Sequence, residues 1–231
     1  MSATPFRPQA FPVPTTGRPA MNTRTAPVLP AFAASLLPVL APLLGGLAAL
    51  LAVLGVLAGH FDTTTLSPWV HTISDYAAAD RGGPVETGIF LAGLGALPLI
   101  PALWRLSKTA ACLAGAWVAG LIVTAIVPTD PLGHVTMSTA GYVHRYASTV
   151  AFAALVIAAV ILARRLRSVL YAVLSGLSIL GGLWVTWATY CGGRVLIGLG
   201  ERVLAFAMLT LLIVLAGRIA RAHLRAVPAF A

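Results

Sequence analysis

The chain has 231 residues, 59 % of them apolar and 9 % charged, with a formal charge of +9 and a mean hydropathy of +0.93. Those values exclude a soluble globular domain, because charged residues are too few to cover a water-facing surface. They also exclude a nucleic-acid module, since no basic stripe with interleaved aromatics accompanies the positive balance.

In chain order, residues 1–35 come first. Pro5, Pro8, Pro12, Pro14, Pro19, Pro27 and Pro30 stand there among Thr, Ala and Arg, and so little apolar surface predicts a disordered tail. A secretory signal is the rival reading. It fails because the first apolar run begins only near Leu36 and is long enough to span, which makes it an uncleaved first helix. Met21 is an alternative start that leaves a short basic lead. Six apolar runs follow, near Leu36–Ala58, Glu86–Trp104, Thr109–Val127, Arg145–Ala163, Ser168–Ala188 and Leu199–Gly217. Each has about 20 residues, the length at which an α-helix crosses a hydrocarbon core of roughly 30 Å. They are continuously apolar rather than alternating, which makes them helices and not barrel strands. The fold class is therefore all-α, a polytopic membrane protein with six transmembrane helices in a compact bundle. Residues 218–231 are a basic C-terminal tail, and no internal repeat is visible.

Charge between the runs orients the chain. Arg7, Arg18, Arg24, Arg105, Lys108, Arg164, Arg165, Arg167, Arg218, Arg221 and Arg225 fall on one side, against Arg81, Arg145, Arg194 and Arg202 on the other. The positive-inside rule then makes both termini cytoplasmic in a plasma membrane, with anionic inner-leaflet lipid as a natural companion of the basic face. Asp62, Asp75, Asp80, Glu86, Asp130 and Glu201 all come to the outer side. The two cysteines are a bilayer apart and cannot pair. Cys112, near the cytoplasmic end of the third run, reads as a packing residue, and Cys191 lies outside.

The outer segments Gly59–Val85, Pro128–His144 and Thr189–Gly200 hold nearly all the polar residues, so any site belongs there. Ser67-Pro68 has the form of an N-cap followed by proline at the first helical position. It predicts a short interfacial helix with Trp69, Val70, Ile73, Tyr76 and Ala77 on one face and His71, Ser74, Asp75 and Ala78 on the other.

Four short motifs carry a resemblance. They are Ser74-Asp75-Tyr76 before the second run, Val127-Pro128-Thr129-Asp130 closing the third, Gly141 and His144 opening the fourth, and Gly198-Leu199-Gly200-Glu201-Arg202 opening the sixth. From about residue 36 to 217 the chain resembles the domain of unknown function 998 family, six-helix membrane proteins of bacteria and archaea. The resemblance implies a topology and candidate positions, and no reaction.

Ser74, Asp75, Asp130, His134, His144, Arg145 and Glu201 come from four separate segments and converge, by topology alone, on one mouth. Asp130, His144, Ser74 and Asp75 are the candidate catalytic residues; Arg145, Glu201, Arg202 and His134 are the candidates for holding substrate. Asp130 with His134, His71 with Asp75, and His144 with Ser148 are spaced i, i+4, so each pair meets on one face if its segment is helical. Asp130 is expected to pair with His144 or Arg145, and Asp130 or Glu201 with Arg145 or Arg202, because a charge turned inward needs a partner. For any one of these residues the plainer reading is a polar belt that caps helices and pairs charges. Zinc would suit three Asp or His ligands, yet no HExxH or paired histidines on one helix support it, so the cofactor stays open. Three function classes follow. One is an enzyme acting on, or a site binding, a lipid or lipid-linked substrate at the outer leaflet. Another is a non-enzymatic accessory or scaffold protein that packs partner membrane proteins through small-residue faces such as Gly88 with Ala92 and Ser178 with Gly182. A transporter is disfavoured, since no ionisable residue sits mid-run.

Overall fold

A ring of six spanning helices, closed on itself in chain order, is what the apolar runs become. The computed structural model describes residues 31–133 and 135–226; the proline-rich tail to residue 30, His134 and the last five residues lie outside them. Among the described residues there are α1 (Ala31–Asp62), α2 (Ile73–Ala79), α3 (Pro84–Ala96), α4 (Ile100–Leu106), α5 (Lys108–Ile126), α6 (Thr139–Leu166), α7 (Val169–Tyr190) and α8 (Ile197–Ala226). A single 3-10 turn, Leu97–Leu99, joins α3 to α4, so the two form one span, Pro84–Leu106. Pro98 and Pro101 explain the break, since each removes an N–H donor and crowds the preceding turn. Six helices are thus long and apolar enough to cross a membrane.

Around the ring α1 packs on α3, α3 on α5, α5 on α6, α6 on α7, α7 on α8, and α8 back on α1. Close backbone approach makes the α1–α3 contact. A Cβ on Gly55 would stand 2.6 Å from the Pro84 carbonyl oxygen, and one on Gly45 2.5 Å from that of Gly95. Glycine at those crossings lets two helices touch main chain to main chain, which is how apolar helices associate where lipid offers no hydrophobic drive. Gly88, Ala92 and Ser178 are buried within the bundle. Those three small residues of the proposed partner faces are therefore occupied within the bundle, while Gly182 borders open space.

The core is centred on Trp117, whose Nε1–H donates to the Ala92 carbonyl at 3.0 Å and whose ring meets Phe152 edge-on at 5.4 Å. Leu99, Leu155, Leu162, Met208, Leu211 and Leu212 complete it. Exposed leucines cluster on α1, from Leu36 to Leu57. Cys112 is also exposed rather than packed inside.

Two expected boundaries shift in ways that matter for the site. The fourth span starts at Thr139, not Arg145, because Ser138 caps it by accepting the Gly141 N–H at 3.0 Å. His144 and Arg145 therefore sit in the second turn of α6. The sixth runs on through Arg218, Arg221 and Arg225 to Ala226, so much of the basic C-terminal segment is helical.

Candidate active site beneath a short capping helix

All six acidic residues lie at the end of the bundle that carries α2, and Arg105, Lys108, Arg164, Arg165, Arg167, Arg218, Arg221 and Arg225 lie at the other. The short helix predicted from Ser67 starts instead at Ile73. Thr72 is its N-cap: its hydroxyl accepts the Asp75 N–H at 3.1 Å, while Asp75 Oδ2 accepts the Thr72 N–H at 2.7 Å. That reciprocal box satisfies two orphan donors at once and outcompetes Ser67-Pro68. Ser67 and Pro68 form a turn in which the Ser67 N–H donates to His71 Nδ1 at 3.1 Å. The predicted faces hold in part. Ile73, Tyr76 and Ala77 are buried, whereas Trp69 and Val70 are exposed.

Neighbouring elements clamp α2. Glu201 Oε2, in the second turn of α8, accepts the Ile73 N–H at 2.6 Å. Arg202 donates to the His71 carbonyl at 2.8 Å, to the Gly198 carbonyl at 2.9 Å, and from Nε and Nη2 to His60 Nε2 at 3.0 and 2.6 Å. Its guanidinium also lies 5.3 Å from the Tyr76 ring centre, and the His60 ring packs against that ring, tilted by 49°, with centres 4.4 Å apart. The Tyr76 hydroxyl donates to the Leu66 carbonyl at 2.5 Å. Burial pushes the Tyr76 phenol up, against a smaller downward pull from Arg202. Arg194 bonds Asp75 Oδ2 at 2.6 Å from a left-handed backbone, φ 65°. Gly198 has a local reason too: a Cβ there would lie 2.5 Å from the Pro68 carbonyl oxygen and closer still to that of His71.

On the other side α2 meets α6 through one hydrogen bond. Ser74 Oγ lies 3.0 Å from His144 Nε2, and His144 Nδ1 lies 2.9 Å from the Val127 carbonyl oxygen. A carbonyl only accepts, so Nδ1 carries the proton, Nε2 is the free lone pair, and the Ser74 hydroxyl donates to it. The availability of that carbonyl is written in the sequence. Pro128 forces Val127 out of the helical region, to φ −86° and ψ 123°, so α5 ends at Ile126 and the Val127 oxygen turns toward α6. His144 itself is 4 % exposed.

Asp130 Oδ2 accepts the Ser138 N–H at 2.9 Å and so closes the N-terminus of α6. Gly141 is required beside it, since a Cβ there would collide with the Asp130 carboxylate. Arg145 is exposed on α6, and Ser148 donates to the Arg145 carbonyl at 2.9 Å rather than to His144. Glu86 accepts the Gly82 N–H at 2.7 Å and pairs with Arg81 at 3.2 Å. His134 lies outside the described residues. The seven candidates among the described residues therefore separate: Ser74, His144 and Glu201 gather beneath α2, Arg202 and Asp75 hold α2 in place, Asp130 caps α6, and Arg145 faces outward. The expected arginine partner of Glu201 gives way to a backbone amide of α2. Among the described residues, no three His, Cys, Asp or Glu side chains assemble as a metal site requires.

Beneath α2 the ring encloses a chamber of about 50 Å³, room for a few water molecules. Its walls are apolar, from Ala52, Val56, Ile89, Ala92, Trp117, Leu121, Phe152, Ala205 and Leu209, with Ser74, Glu201, Thr124 and Ser148 as its polar members. His60, Thr72, Arg194 and the Val127 carbonyl are the site participants that the sequence reading missed. Thr72 and Asp75 had a readable capping spacing, and Val127-Pro128 a readable helix stop. His60 had no signal beyond its depth, level with Arg202.

A family model described as a protein of unknown function, DUF998, matches residues 46–218. No curated protein and no solved structure matches the chain.

Proposed function

The chain belongs to the DUF998 family, whose description assigns no activity, and on that premise we propose that the chamber beneath α2 binds and processes a lipid or lipid-linked substrate at the outer face of the plasma membrane. The observation that carries this reading is the chamber itself. Its walls are apolar on every ring helix but α7, and Ser74 and Glu201 face it beside α2, with His144 behind Ser74. Apolar pockets with a few convergent polar groups are where ligands are held. Arg145 is the residue suited to an anionic head group, because Arg202 and Arg194 are engaged within the protein while Arg145 is exposed on α6. The charge division between the two ends of the bundle supports cytoplasmic termini and an outward-facing α2.

The accessory reading has less support, since Gly88, Ala92 and Ser178 already serve the bundle's own contacts. Two measurements test the proposal. Native mass spectrometry of protein purified in mild detergent should find a retained lipid, and Ala205→Phe, which fills the chamber, should remove it; retention unaffected by that substitution would refute the chamber as the site. Membrane-impermeant thiol labelling of sealed cells should reach the exposed Cys191 and spare a cysteine placed at Thr4. Labelling at Thr4→Cys would overturn the orientation.

A further inference from the structure

We propose that Ser74 is the nucleophile of an acyl-transfer reaction on the carboxylic ester of a lipid, with His144 as its general base; the substrate class rests on the lipid-site reading above. Among the described residues several hydroxyls bond backbone groups, and that of Ser74 bonds a side chain. Thr124, Ser148, Ser175, Ser178, Thr186 and Thr189 each donate to a carbonyl three or four residues earlier in their own helix. Thr72, Ser107 and Ser138 accept backbone N–H groups as helix caps. Thr124 and Ser148 line the same chamber as Ser74 yet are turned to backbone. The Ser74 hydroxyl instead crosses from α2 to α6 and meets an imidazole nitrogen at 3.0 Å.

That imidazole is set up as a base. Its Nδ1–H is held by the Val127 carbonyl, which fixes the ring plane and leaves the Nε2 lone pair directed at Ser74. The orienting group is a carbonyl dipole where better-known serine enzymes place a carboxylate, so the Val127 oxygen is a positioning group and not a catalytic one. The apolar chamber wall then accounts for the class of electrophile. A neutral ester group can enter such a space with its acyl chain left outside the chamber, whereas a charged phosphoryl group would be desolvated without a cation to meet it.

The chemistry balances without a cofactor. Ser74 Oγ attacks the ester carbonyl carbon while its proton passes to His144 Nε2. The carbon–oxygen bond to the alcohol part of the lipid breaks, and that oxygen leaves with the proton from Nε2. Water, deprotonated by Nε2, then attacks the acyl-Ser74 ester, and Ser74 Oγ recovers its proton as the fatty acid departs. The net reaction is ester plus water to acid plus alcohol.

The test uses a fluorophosphonate, which phosphonylates activated serines, on the full chain in mild detergent, read by intact and peptide mass spectrometry. One adduct is expected, on Ser74; Ser74→Ala should give none, and His144→Gln should slow labelling about 100-fold, the scale of general-base assistance. As a second variant, Ser74→Cys with Cys112→Ser and Cys191→Ser should be alkylated by iodoacetamide at least tenfold faster than the same protein carrying His144→Gln. Absence of a wild-type adduct, an adduct that persists in Ser74→Ala, or rates indifferent to His144 would each overturn Ser74 as nucleophile. Lipid retention by the wild-type protein keeps the two readings separable: a retained lipid with no wild-type adduct leaves the lipid site standing and removes the acyl chemistry, and a wild-type adduct on Ser74 without retained lipid does the reverse.

Discussion

Arg202 is the residue on which the position of α2 depends most. A seven-residue helix is too short to persist alone, so α2 stays in place only through its attachments. Arg202→Met keeps most of the apolar stem and deletes the guanidinium, leaving His60 Nε2 and the His71 carbonyl without their donor and Tyr76 without its cation. Hydrogen bonds from a charged donor contribute roughly 1.5–3 kcal/mol each, and an exposed cation–π contact about 0.5–1 kcal/mol. Discounted for the partial exposure of Arg202, the loss is about 3 kcal/mol, which corresponds to a change in the opening equilibrium of about 100-fold. The assay is thiol labelling of Ala77→Cys, placed where the native side chain is 1 % exposed, with Cys112 and Cys191 replaced by serine. Labelling then follows the population of molecules in which α2 has lifted. Arg202→Met should raise its rate about 100-fold with unchanged helix content. A rise below threefold would show that α2 is held by burial of Ile73, Tyr76 and Ala77 alone.

Three further outcomes are expected. Asp130→Ala leaves the Ser138 N–H at the start of α6 uncapped and should cost about 1–2 kcal/mol, while Asp130→Asn, which keeps an oxygen acceptor, should cost about half that, both with six spans inserted; thermal unfolding in detergent reads the difference. Gly198→Ala forces a methyl against the Pro68 and His71 carbonyls and should destabilise by about 1–3 kcal/mol, whereas Gly182→Ala, with open space at its Cβ, should be neutral or slightly stabilising in the same assay. Tyr76, raised by burial above its unfolded value of about 10, contributes stability that is complete below that pH and lost as pH rises through its folded value, so α2 should loosen above about pH 10 and Tyr76→Phe should remove that alkaline step in Ala77→Cys labelling.

The spans were legible because hydropathy over about 20 residues is a property of the segment alone. Their ends were less so. Arg145 looked like the start of the fourth helix because it is the last charge before an apolar run, yet Ser138, earlier in the chain, offers a hydroxyl cap. The site was legible as a set and not as a wiring diagram. Ser74, His144 and Glu201 could be brought to one end by topology, but the partner of each depends on contacts between segments 70 and 128 residues apart. Sequence reasoning assigned carboxylates to arginines because opposite charges are the visible partners. Backbone amides at helix starts compete for the same oxygens without announcing themselves in composition, and at Glu201 and Asp130 an amide takes one of them.

Those amides also bear on why the charges divide between the two ends. Glu86 falls in the first turn of α3, and Arg105, Arg164 and Arg165 in the last turns of α4 and α6, an arrangement that helix dipoles would favour in any solvent. The discriminating residues are those for which dipole and membrane side disagree. Lys108 opens α5, a positive charge at a positive helix end, and Asp62 closes α1, a negative charge at a negative end. Both are misplaced by the dipole and correctly placed by the side of the bundle on which they stand. At Lys108 a dipole preference of about 0.3–1 kcal/mol is thus overridden in the direction that the positive-inside rule favours, and this disagreement, more than the count of arginines, supports cytoplasmic termini and the outward-facing α2 on which the proposed site rests.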